Sequence, residues 1–181
     1  MNTPPRKIIL VGFRATGKSS VGRQLAEQLG VDFLDMDQVL TTRHGEISRV
    51  VAEHGWDFFR AREKELLREL IDLPEGIIAT GGGAVLHQEL WPALRASGLV
   101  VWLTSTLELI CQRLTQDPVS GSQRPSLTGG DIRAETAAVL AEREPLYRAA
   151  AHLAVDSNRP VAEVAGEIAS LWQQTPGAQG P

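Results

Sequence analysis

The sequence predicts a doubly wound α/β domain on a mainly parallel sheet. Three observations predict it. Short apolar runs alternate with amphipathic stretches along nearly the whole chain. Those runs lack polar–apolar alternation, as strands buried on both faces do. Each is separated from the next by a helical stretch, as parallel connections require.

The first run, "KIILVGF" (7–13), is β-branched and apolar and ends at a glycine. "GKSSVGRQLAEQLG" places Val21, Leu25 and Leu29 at helical spacing, with Gly30 as the stop. "VDFLDMD" (31–37) is a second short strand; residues 38–53 and "DFFRAREKELLRELIDL" (57–73) read as helices. "EGIIATGGG" (75–83) is a third strand running into three glycines, and "HQELWPALRASG" a short helix. "LVVWLTS" (99–105) is the fourth strand, and "TLELICQRLTQ" a helix. Pro, Gly and Ser make 117–130 a loop. A long helix (133–151), a fifth strand "HLAVDS" (152–157) and a closing helix with Pro160 near its start complete the pattern. One domain over 1–174 is expected, with a lid at about 115–128 and a fraying Pro/Gly-rich tail at 175–181.

Composition narrows the function. The net charge of -4 supplies no global basic field for nucleic acid, although a cleft could still concentrate arginines. Cys111, the single cysteine, allows no internal disulfide or multi-thiolate metal site, fits a reducing cytoplasm, and reads as a buried structural thiol. "IILVGF" is too short for a membrane span, so no membrane association is expected.

Gly12 to Ser19 fits G-x-x-x-x-G-K-[ST] between a buried strand and an amphipathic helix. Backbone N–H groups and a helix N-terminus would then face phosphates. Gly12, Ala15, Thr16, Gly17, Lys18, Ser19 and Ser20 form the expected nucleotide contacts, with Lys18 neutralising the β- and γ-phosphates and Ser19 on Mg²⁺. Ala15 and Thr16 occupy variable positions and supply the backbone amides such a nest uses. A plain strand–turn–helix junction with a solvated Lys18 is the bland alternative.

"DMD" sets Asp35 and Asp37 on the same side of an extended segment. One could reach the metal's water shell and the other accept a proton from an attacking hydroxyl. The competing reading is a helix cap at Asp37 and a solvated Asp35. "FFRARE" supplies Arg60 and Arg62, suited to carboxylate recognition or simply to surface ion pairs. Gly81, Gly82 and Gly83 permit close backbone approach to a ligand. Arg124, in "GSQRPSL", could close over developing phosphoryl charge. Arg148, in "EPLYR", has a helix-dipole reading as its alternative.

The ordered set "GFRATGKSS", "DMD", "FRARE", "ATGGG", "QRPSL" and "PLYR" resembles the shikimate kinase family over about residues 7–172. The resemblance implies a three-layer P-loop kinase fold, a five-stranded parallel sheet flanked by helices, closed by a lid. It implies ATP-dependent phosphorylation of the shikimate 3-hydroxyl on the route to chorismate and aromatic amino acids. By resemblance Asp37 is the base, Asp35 lies near Mg²⁺, and Arg60 and Arg148 grip the substrate carboxylate. Gly81, Gly82 and Gly83 contact substrate, Gly82 foremost, and Phe59 packs near its ring. Arg124 reaches the phosphates; Arg113 and Arg159 flank adenine. Ala15 departs from the family's usual glycine. A cytoplasmic monomer acting on a small molecule is expected. A kinase for another hydroxy acid such as gluconate, and a nucleotide-binding module without catalysis, are the alternatives.

Overall fold

The computed structural model describes residues 6–116 and 131–174. Five strands form one sheet: β1 (Arg6–Val11), β2 (Phe33–Asp35), β3 (Glu75–Ala79), β4 (Leu99–Thr104) and β5 (Leu153–Asp156). Their order is β2-β3-β1-β4-β5, and every pairing is parallel. The helices are α1 (Lys18–Leu29), α2 (Met36–His44), α3 (Ile47–Ile71), α4 (Trp91–Ser97), α5 (Leu107–Gln116), α6 (Ile132–Ala150) and α7 (Val161–Gln174). Two 3₁₀ turns, Ala84–Leu86 and Gln88–Leu90, lead into α4.

The unbroken apolar strands have the predicted cause. Ile8 and Leu10 pack into one core with Val21, Leu25 and Val164, on the α1 and α7 face. Ile9 and Val11 pack into the other with Met36, Leu66, Leu94 and Tyr147. Successive β1 side chains thus enter opposite layers, and both are buried.

Two boundaries differ from the sequence reading. The stretch 38–53 is not one helix: α2 ends at Gly45 (φ 94°), and α3 begins at Ile47. Gly55 (φ 83°) is non-helical inside α3, so the break expected between 53 and 57 is a kink rather than a loop. Cys111 is half-buried rather than enclosed in the core.

Lys7 has no exposed surface, and its ammonium donates to the Leu70 and Ile71 carbonyls at 2.8 and 2.9 Å. Those are end carbonyls of α3 with no partner in the helix, so a strand lysine closes it.

At the start of β5 the Val100 N–H donates to Nδ1 of His152 at 3.0 Å. Burial, and then the Arg95 charge, lower the His152 pKa below its ordinary 6.5. The fold therefore favours the neutral ring. Its contribution to stability is complete above pH 6.5, declines as the pH falls below that, and is gone once the pH passes the lowered value. His152→Asn keeps an acceptor without titrating. It is expected to flatten this part of the fall in Tm; an unchanged pH–Tm curve would count against the assignment.

Candidate active site

The phosphate loop leaves β1 at Val11 and enters α1 at Lys18. Gly12 has φ 148°, and a Cβ there would lie 2.7 Å from the Leu103 carbonyl oxygen, so the turn requires glycine. The buried Thr16 hydroxyl donates to the Phe13 carbonyl at 2.8 Å. Lys18 donates to the Gly12 and Phe13 carbonyls at 2.8 and 2.7 Å, which places its ammonium over the loop. Gly17 (φ 91°) begins the helix, whose N-terminus has no side-chain cap and suits an anion.

Ala15 adopts φ 61°, the only positive φ at a non-glycine among the described residues. Its carbonyl accepts from Arg113 at 3.1 Å. A left-handed alanine costs roughly 1–2 kcal/mol, partly offset by the smaller entropy it loses on folding. Ala15→Gly is therefore expected to raise Tm by a few degrees, about 1 kcal/mol. A lower Tm in a thermal melt would contradict this.

The hydroxyl of Ser19 donates to Asp35 Oδ2 at 2.5 Å. Asp35 ends β2 opposite Ala79 and caps α2, its Oδ1 accepting from the Asp37 and Gln38 amides at 3.0 and 3.3 Å. The two carboxylates therefore do not share one face of an extended strand. The chain turns into α2 at Met36, whose side chain is fully buried, and Asp37 stands half-buried in the first helical turn. The cap is Asp35, not Asp37.

Beside the loop lies a pocket lined by Phe13, Arg14, Ile47, Trp56, Phe59, Arg60, Glu63, Gly82, Gly83 and Arg143. Arg60 is fixed from several sides. Its guanidinium lies 5.2 Å from the Trp56 ring centroid and 5.4 Å from that of Phe59. NH1 donates to Glu63 at 2.7 Å. A Cβ on Gly83 would fall 2.1 Å from that NH1, so the glycine lets the guanidinium lie against the backbone. Burial works against ionising Glu63, which is only 1% exposed, but hydrogen bonds from His87 and Arg60 and the Arg60 charge outweigh it and hold the carboxyl below its usual range.

Gly82 is held by α6: its carbonyl accepts from the Tyr147 hydroxyl at 2.5 Å and from Arg143 at 3.2 Å. Tyr147 is fully buried and stacks on Trp102, 6.0 Å between centroids. Gly81 is buried and does not line the pocket.

The arginine read from "PLYR" requires correction. The Arg148 side chain is 70% exposed, pairs with Glu144 at 2.9 Å and lies over Trp102, outside the pocket with Arg60. Arg143 lies there instead. Arg143 and Tyr147 are four residues apart and share a face of α6, whereas five residues place Arg148 about 140° around the helix. The buried aromatic Tyr147 was the available signal: the polar residue one turn before it also faces the core edge. Arg14 was likewise missed. Burial lowers its pKa, Glu135 at 3.9 Å opposes that, and the residue stays charged at neutral pH. Three guanidiniums against one carboxylate thus make a cationic pocket in an acidic chain.

Of the outer positions, Arg113 donates to Ala15 and Ser157 carbonyls, tying the phosphate loop to the segment after β5. Arg159, in that segment, bonds the Asp156 carbonyl and Glu167. Ser20 is exposed on α1. Arg124, residues 117–128 of the expected lid and the 175–181 tail lie outside the described residues.

The family model for shikimate kinase matches residues 14–173. The chain belongs to the shikimate kinase family. It is 45% identical over 166 residues to a shikimate kinase of Nitratidesulfovibrio vulgaris, covering 91% of this chain and 94% of that one. It is 46% identical over 166 residues to one of Oleidesulfovibrio alaskensis, at 91% and 96% coverage. Among solved structures, shikimate kinase from Acinetobacter baumannii in complex with shikimate is similar at TM-score 0.88 and 34% identity, covering 96% of each chain. With the five parallel strands, this places the fold with the α/β P-loop kinases. The chain is a kinase of that family and uses ATP.

Proposed function

We propose that this chain transfers the γ-phosphoryl group of ATP to the 3-hydroxyl of shikimate, giving shikimate 3-phosphate and ADP. One observation carries the reading: Phe13 and Arg14 of the phosphate loop line the same pocket as Arg60, Arg143 and Gly82. A small anionic acceptor seated among those arginines opens directly onto the phosphate cradle.

The physical roles follow from the chemistry. Phosphoryl transfer asks mainly for positioning and charge stabilisation. Backbone amides from Gly12 to Ser20, the α1 N-terminus and Lys18 would hold the phosphates. Arg60 and Arg143, with Arg14 beside them, would grip the carboxylate of shikimate, while Phe59 flanks the ring and the Gly81–Gly83 turn admits it closely. Asp37 would take the proton of the attacking hydroxyl. Arg124 is assigned to the phosphates, and Arg113 and Arg159 to the adenine side.

The Ser19 hydroxyl and Asp35 carboxylate, already within hydrogen-bond reach, form an all-oxygen donor set suited to Mg²⁺. When bound with nucleotide, Mg²⁺ supplies charge neutralisation. Among the described residues no three His, Cys, Asp or Glu side chains gather into a metal site, and nucleotide-borne Mg²⁺ asks for only one or two carboxylates. No helix among the described residues is long and apolar enough to cross a membrane. We assign the chain as a cytoplasmic monomer with one domain over 1–174.

The test is ADP release coupled to shikimate addition with Mg-ATP. Shikimate-dependent turnover, absent with gluconate, is expected. Release on gluconate alone would name the other acceptor, and tight ATP binding with no turnover on any acid would indicate a binding module.

A further inference from the structure

We infer that His87 is a positioning residue for the acceptor anion, acting through Glu63 on Arg60; this rests on the reading of the pocket as the acceptor site. Glu63 Oε2 lies 2.7 Å from Arg60 NH1 and 3.0 Å from His87 Nε2. The Glu63 side chain is 1% exposed and that of His87 10%. The carboxyl is held ionised, and an ionised carboxylate only accepts hydrogen bonds. His87 Nε2 therefore carries the proton and donates, and the tautomer is set by its partner.

The placement of His87 gives this contact its consequence. His87 sits between the two 3₁₀ turns after the glycine turn, its N–H donating to Ala84 and its carbonyl accepting from Leu90. The preceding links, Ala84 N–H to Gly81 and Leu86 N–H to Gly83, run straight back into the glycines. Its side chain then crosses to α3 and ends on the carboxylate that orients Arg60. One hydrogen-bonded chain thus ties the glycine turn, which packs on the Arg60 guanidinium, to the residue that aims it.

A buried carboxylate with one donor removed loses much of what keeps it ionised, and an un-ionised or swivelling Glu63 no longer fixes Arg60. The loss falls on acceptor affinity. Lys18, Ser19 and Asp37 make none of these contacts, so ATP binding and the chemical step remain.

The experiment compares three variants by steady-state kinetics with shikimate and ATP varied separately. His87→Gln can place an amide N–H where Nε2 stands. His87→Asn is too short to reach Glu63, and His87→Leu keeps bulk without a donor. His87→Asn and His87→Leu are expected to raise the shikimate KM about tenfold, with kcat and the ATP KM within twofold of wild type; His87→Gln stays near wild type. The inference is overturned if His87→Asn keeps a wild-type shikimate KM, if His87→Gln is as impaired as His87→Asn, or if kcat or the ATP KM moves as far as the shikimate KM. Should His87→Leu fail to fold, the Gln–Asn pair decides. Absence of shikimate-dependent turnover in wild type would overturn the functional reading and this inference with it; wild-type turnover with unresponsive variants overturns only the role of His87.

Discussion

Asp37→Asn is expected to lower kcat by about two to four orders of magnitude while leaving ATP affinity unchanged. The substitution is nearly isosteric and removes the negative charge together with the ability to take a proton. The Asp37 contact that shapes the site, its backbone amide to Asp35, survives the change. The Ser19–Asp35 pair and the Lys18 bridge to the loop carbonyls also involve no Asp37 side-chain atom. The measurement is a coupled ADP assay beside equilibrium titration with ATP. Turnover within a few-fold of wild type would remove Asp37 from the base role; lost ATP binding would show a structural one.

Arg143→Ala is expected to raise the shikimate KM by about tenfold to a hundredfold, the range for losing charge-assisted hydrogen bonds. Arg148→Ala should leave it within twofold, because its exposed pair with Glu144 contributes little. The contrast separates two arginines in the same motif. Arg143→Ala also removes one donor from the Gly82 carbonyl, but Tyr147 remains there, so the turn stays in place. A large effect at Arg148 with none at Arg143 would reverse the assignment.

Much was legible along the chain because the signals were local. Five unalternating apolar runs predicted a parallel sheet, and the sheet has five parallel strands. Gly12, Lys18 and Ser19 were readable because a phosphate cradle is built from one short contiguous segment. Arg60, Phe59, Gly82 and Gly83 were named and do line one pocket.

Other features depend on which face of an element meets another. Whether Asp35 or Asp37 caps α2 turns on where the strand ends, and the burial of Met36 settles it. Arg143 and Arg148 are equally plausible as letters; the docking of Tyr147 onto Gly82 selects the first. Arg14 and Glu63 fall inside quoted motifs only at positions whose chemistry no pattern fixes, and His87 falls in none; they enter the site because the end of β1, α3 and the glycine turn converge there. The sequence by itself determined the fold class and the phosphate-loop pattern, since these follow from periodicity and from one contiguous motif. Only the tertiary structure decided which arginines face the pocket and what aims them, since those choices rest on contacts between residues far apart in the chain.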